Sequence, residues 1–131
     1  MKRLAGLVLT ILLATTTLAA CSSGAEAQTV GAQEWLTQAG KPDVTVVDVR
    51  TPAEYAAGHV EGAVNIDVDG ASFSDAIAEL DKDGTYVVYC QSGRRSGIAT
   101  DAMTKAGLTH VYNLDGGIGD LQAAGATIVA G

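Results

Sequence analysis

Thr85-Tyr86-Val87-Val88-Tyr89-Cys90-Gln91-Ser92-Gly93-Arg94-Arg95-Ser96 decides the reading of this chain. The first five of these residues are β-branched or aromatic, too short a run for a helix, and read as a strand. Gln91-Ser92-Gly93 is a short polar turn. From Arg95 to Lys105, the residues Ile98, Ala99, Ala102, Met103 and Ala106 recur at helical spacing, and Gly107 supplies the C-terminal cap. A strand, a tight turn and a helix in that order put Cys90 at the carboxyl end of a strand. In open parallel α/β sheets that is where ligands bind.

Upstream, Val44-Thr45-Val46-Val47-Asp48-Val49 is a second β-branched run, apolar on both faces as a central parallel strand must be. Thr51 follows as N-cap with Pro52 at the first helical position, and Gly58 ends that helix. Ala63-Val64-Asn65-Ile66 reads as a shorter strand. Phe73, Ile77 and Leu80 form one helical stripe, closed by a turn at Gly84. His110–Leu114 reads as a strand, Ile118–Ala124 as a short helix, Gln33–Ala39 as an opening helix, and Thr29-Val30 as an edge strand. Strands alternating with helices predict an α/β fold, a small central parallel sheet of roughly four to five strands with helices on both faces.

Composition bounds the partners. The chain has 131 residues, 47% hydrophobic and 18% charged, as one globular domain would. A formal net charge of −7 argues against nucleic-acid binding, and a basic patch for anionic lipid is equally out of keeping. Membrane contact has to come from something other than charge.

The N-terminus offers it. Met1-Lys2-Arg3 is a basic start, and Leu4 to Ala20 is an apolar run free of acidic residues, the pattern of a secretory signal. The run ends in Leu18-Ala19-Ala20-Cys21, which resembles a bacterial lipobox. That resemblance implies cleavage before Cys21 and a lipid on its sulfur, with palmitate-type acyl chains as the membrane anchor. The small, polar Ser22-Ser23-Gly24-Ala25-Glu26-Ala27 suits a flexible tether. The division expected is residues 1–20 as signal peptide, 21–27 as lipidated Cys and tether, and 28–131 as the folded domain. The expected location is the cell membrane, lipid-anchored on the extracytoplasmic side. Losing Lys2 and Arg3 with the signal takes the formal charge from −7 to about −9. An uncleaved transmembrane anchor, or an ordinary signal peptide with an incidental Cys, are the competing readings of the same stretch.

The chain has two cysteines, so a lipidated Cys21 leaves Cys90 unpaired. An unpaired thiol outside the cytoplasm is a liability unless it is buried or used. Gly93 can take positive φ, which lets consecutive backbone N–H groups curl toward one point ahead of the next helix. A thiolate placed there is stabilised. Arg94 and Arg95 add permanent charges with forked donors suited to an oxyanion. Asp48 and Arg50 read as internal partners that set the loop's frame, His59 as a structural hydrogen-bonder, His110 as a surface residue, and Gly116-Gly117 as a tight turn near the site. Two distant histidines and one available thiol make no metal-ligand set, and no cofactor is called for.

Residues 43–125 resemble the rhodanese family. Asp48-Val49-Arg50-Thr51-Pro52-Ala53-Glu54-Tyr55 with Gly58-His59-Val60-Glu61-Gly62-Ala63 is similar to that family's first signature, Cys90 to Ser96 to its active-site loop, and Leu114-Asp115-Gly116-Gly117-Ile118 to its closing motif. The resemblance implies a sulfurtransferase in which Cys90 carries a persulfide. Gln91, Ser92, Gly93, Arg94, Arg95 and Ser96 would bind a small anionic sulfur donor such as thiosulfate, and a thiol or cyanide would accept the sulfur. Gln91 stands where the family often has Arg, Leu121 where it often has Trp, and Glu61 where it often has Pro. Two other functions fit parts of the pattern. One is a noncatalytic sulfur-carrier or interaction module at the membrane. The other is a Cys-dependent phosphatase or arsenate reductase, whose loop places its Arg one position later, where this chain has Ser96.

Overall fold

Strands and helices alternate through residues 25–131, the span that the computed structural model describes. In chain order they are β1 (Gln28–Val30), α1 (Ala32–Ala39), β2 (Val44–Asp48), α2 (Pro52–Ala57), β3 (His59–Val60), β4 (Val64–Asn65), α3 (Phe73–Ala78), β5 (Thr85–Tyr89), α4 (Arg94–Lys105), β6 (His110–Leu114), α5 (Ile118–Ala123) and β7 (Ile128–Val129). The signal segment, Cys21 and the start of the tether lie outside the described residues.

Five strands form one sheet in the order β1-β6-β5-β2-β4, every neighbouring pair parallel. β5 is therefore central, flanked by β6 and β2. Its side chains alternate between two cores, as the strand period demands. Tyr86, Val88 and Cys90 face Phe73 and Ile77 of α3 and Ala99 and Met103 of α4. Val87 and Tyr89 face Trp35 of α1 and Leu121 of α5. Trp35 is fully buried and donates its indole N–H to the Val88 carbonyl at 3.0 Å. Leu121 is also fully buried in this second core. Each such large apolar side chain contributes about 1.5–3 kcal/mol by leaving water.

Local sequence signals place the helix ends. Thr51 caps α2 through a capping box: its hydroxyl accepts from the Glu54 N–H at 3.3 Å, and Glu54 accepts from the Thr51 N–H at 3.0 Å. Gly107, at φ 100°, follows the last turn of α4.

One feature was not expected from the sequence. β3 and β7 pair antiparallel as a separate ribbon, His59 opposite Val129 and Val60 opposite Ile128. Strands of two residues are too short to show a period, and their pairing is set by packing alone.

Candidate active site

β5 delivers Cys90 to the carboxyl edge of the sheet at its centre, and the loop to α4 folds over it. Gly93 sits at φ 101°, a left-handed conformation that aims its N–H back at the sulfur, 2.9 Å away. The backbone N–H groups of Ser92 and Ser96 and the Ser96 hydroxyl also favour the thiolate. The single hydroxyl proton of Ser96 is shared with the Gly93 carbonyl at 3.1 Å. Cys90 is fully buried, and burial by itself pushes its thiol up. The encircling donors outweigh that cost and hold it below the ordinary 9.0. Several charge-assisted hydrogen bonds converging on one sulfur oppose a single desolvation cost, and the N-terminus of a twelve-residue helix adds its dipole.

A buried ionic frame supports the loop from the neighbouring strand. Asp48, fully buried, accepts from Arg50 Nη2 at 2.6 Å, from Arg50 Nε at 3.0 Å and from the Tyr89 hydroxyl at 2.6 Å. The Arg50 guanidinium, 5.7 Å from the Tyr89 ring centre, also donates to the Gly58 carbonyl at 2.6 Å and to Gln91 Oε1 at 3.1 Å. Burial disfavours the Arg50 cation, yet its bonds to Asp48 hold its pKa above the usual value. Burial likewise raises the Tyr89 phenol, with the Asp48 hydrogen bond adding to the shift. Gln91 thus links the loop to the end of β2, its side-chain oxygen accepting from the Arg50 guanidinium.

The closing Gly116-Gly117 turn seals the loop from β6. Ile118 donates to the Cys90 carbonyl at 3.0 Å, and a Cβ on Gly117 would fall 1.9 Å from the Gln91 carbonyl oxygen. The glycine is needed there for space, because its φ of −135° suits any residue.

The two loop arginines part company. Arg94 is exposed on the first turn of α4. Arg95, expected among the residues that bind the anionic donor, makes a two-pronged ion pair with Glu54, Nη1 to Oε2 at 2.8 Å and Nη2 to Oε1 at 3.0 Å. The forks of Arg95 hold the Glu54 carboxyl down at about 2. Sequence reasoning missed Glu54 and the Tyr89 hydroxyl. Glu54 was visible as the third residue of the α2 capping box, but nothing local pointed it at Arg95. His59 is buried, stacked on Tyr55 with ring centres 3.7 Å apart, and its Nδ1 lies 2.9 Å from the Tyr55 carbonyl. His110 is exposed beside Thr109. Among the described residues no cluster of His, Cys, Asp and Glu could hold a metal.

The chain is similar in sequence and fold to known proteins. A family model described as the rhodanese-like domain matches residues 15–124. The thiosulfate sulfurtransferase PspE of Escherichia coli is 43% identical over 75 residues, covering 57% of this chain and 71% of that protein. The probable adenylyltransferase/sulfurtransferase MoeZ of Mycobacterium tuberculosis is 36% identical over 86 residues, which is 66% of this chain but 21% of that longer protein. A rhodanese of Escherichia coli solved with anions superposes with a TM-score of 0.56 at 39% identity, over 67% of this chain and 99% of that one. With its five-stranded parallel sheet, its cysteine at the end of the central strand and a family match across most of its length, the chain belongs to the rhodanese-like domain family.

Proposed function

We propose that this protein is a rhodanese-type sulfurtransferase that carries sulfane sulfur as a persulfide on Cys90. The observation that supports it most directly is the ring of donors on the Cys90 sulfur, with the Gly93 N–H at 2.9 Å. In the loading step the thiolate attacks the outer sulfur of thiosulfate. The S–S bond breaks, its electron pair leaves with sulfite, and Cys90–S–S⁻ remains. An acceptor thiolate or cyanide then attacks the outer sulfur and restores the Cys90 thiolate. No proton has to be delivered to a leaving amine, which is why the chemistry does not call on a histidine base as acyl transfer does. The phosphatase reading has less support, since a larger oxyanion would need an Arg at the end of the loop and Ser96 stands there. The lipid on Cys21 would hold the domain at the outer face of a membrane.

The test is the intact mass of the full-length protein after thiosulfate and then after cyanide. A one-sulfur gain that cyanide removes, and that Cys90→Ser abolishes, is the expected result. A gain that survives in the Ser variant would refute the assignment.

A further inference from the structure

Arg50 and Arg95 are both already occupied. Arg50 is internal, 3% exposed, and its fork is shared among Asp48, Gly58 and Gln91. The side chain of Arg95 is 19% exposed, and both prongs of its fork lie on Glu54. The Asp69 carboxylate adds to the negative field at Arg95, and the Cys90 sulfur is close enough to contribute as well. The sulfur is therefore held mainly by neutral N–H and O–H dipoles, beside an arginine whose charge an ionised carboxylate cancels. Dipoles suit a single negative charge; repulsion from a fixed carboxylate grows in proportion to the charge of what approaches.

We infer that Glu54 is a specificity-determining residue: by holding both prongs of Arg95 it withholds that charge from the donor site and favours sulfane donors of lower charge over dianionic thiosulfate. This rests on the sulfurtransferase reading and refines it by naming the class of donor preferred, the monoanionic sulfane compounds such as organic thiosulfonates or persulfides. A dianion meets a cancelled charge or must first break the ion pair, and either route costs it more than it costs a monoanion.

Methanethiosulfonate and thiosulfate separate the effect, since each presents an outer sulfur on a sulfonyl group but they differ by one charge. Attack by Cys90 releases methanesulfinate from the first and sulfite from the second, and both leave the same persulfide. Loading rates are read by intact mass on full-length wild type and on Glu54→Gln, which keeps an acceptor oxygen for the Thr51 cap. In the variant, loading from thiosulfate is expected to rise at least about fivefold, through KM, and loading from methanethiosulfonate about twofold, because the interaction scales with the charge of the donor. Added salt should shrink both gains. Unchanged or slower loading, or equal changes with the two donors, would overturn the inference and assign Glu54 a structural role. Failure of the wild type to load from either donor would remove the sulfurtransferase reading along with it.

Discussion

Substituting Ala at Gly117 tests how tightly the site depends on its closing turn. The new Cβ would stand 1.9 Å from the Gln91 carbonyl oxygen and 2.6 Å from its carbon, both backbone atoms that no rotamer change can move. Ordinary contact begins near 3.4 Å, so turn and loop must separate by roughly 1.5 Å. The 3.0 Å bond from Ile118 to the Cys90 carbonyl cannot survive that shift. Overpacking costs about 1–3 kcal/mol and the lost hydrogen bond about 1 kcal/mol, giving about 2–4 kcal/mol in all. Gly119→Ala is the control: it lies in α5 with nothing within 4 Å, and should be neutral or stabilising by up to about 1 kcal/mol. Urea unfolding measures both, and thiosulfate loading of Cys90 should slow in the Gly117 variant alone. A Gly117→Ala protein within about 0.5 kcal/mol of wild type, with unaltered loading, would show that the turn can move off the loop at no cost to the site.

Arg50→Met should destabilise the fold by about 3–5 kcal/mol, because it leaves the Asp48 carboxylate buried without its cation. The melting temperature is then expected to fall by about 12 °C or more, and a loss under about 1 kcal/mol would mean that the pair is screened. Glu54, held at about 2 against an ordinary 4.5, contributes stability that is present above pH 4.5 and is lost as pH falls toward 2. The gap of up to about 1 kcal/mol between wild type and Glu54→Gln should therefore close in acid when unfolding is followed across pH; a gap unchanged at pH 2 would exclude the ion pair as its source.

How much of this was legible in the sequence depends on the range over which each contact acts. β5 and β6 match their expected bounds residue for residue, because a β-branched and aromatic run carries its own signal. Cys90 was legible for the same reason: a strand, a polar turn with Gly and a helix are all local. Asp48 and Arg50 lie two positions apart, so their pairing could be read nearly as directly. Glu54 and Arg95 are 41 positions apart, as are Tyr89 and Asp48. Nothing near either residue says which partner the fold will bring to it. Arg95 therefore looked free, and only the placement of α2 against the start of α4 shows it paired. The β3–β7 ribbon escaped notice because two-residue strands leave tertiary packing to choose their partner.

The proposed sulfur transfer requires an ionised sulfur inside a buried loop, and ionisation can be followed without asking any reagent to reach it. Thiolate ultraviolet absorbance of the wild type, minus that of Cys90→Ser, isolates this one group and cancels any signal from Cys21. The difference should titrate with a midpoint clearly below 9.0, and thiosulfate loading should rise through the same midpoint and level off above it. A midpoint at or above 9.0 would show that desolvation prevails over the encircling N–H groups, and would contradict the mechanism.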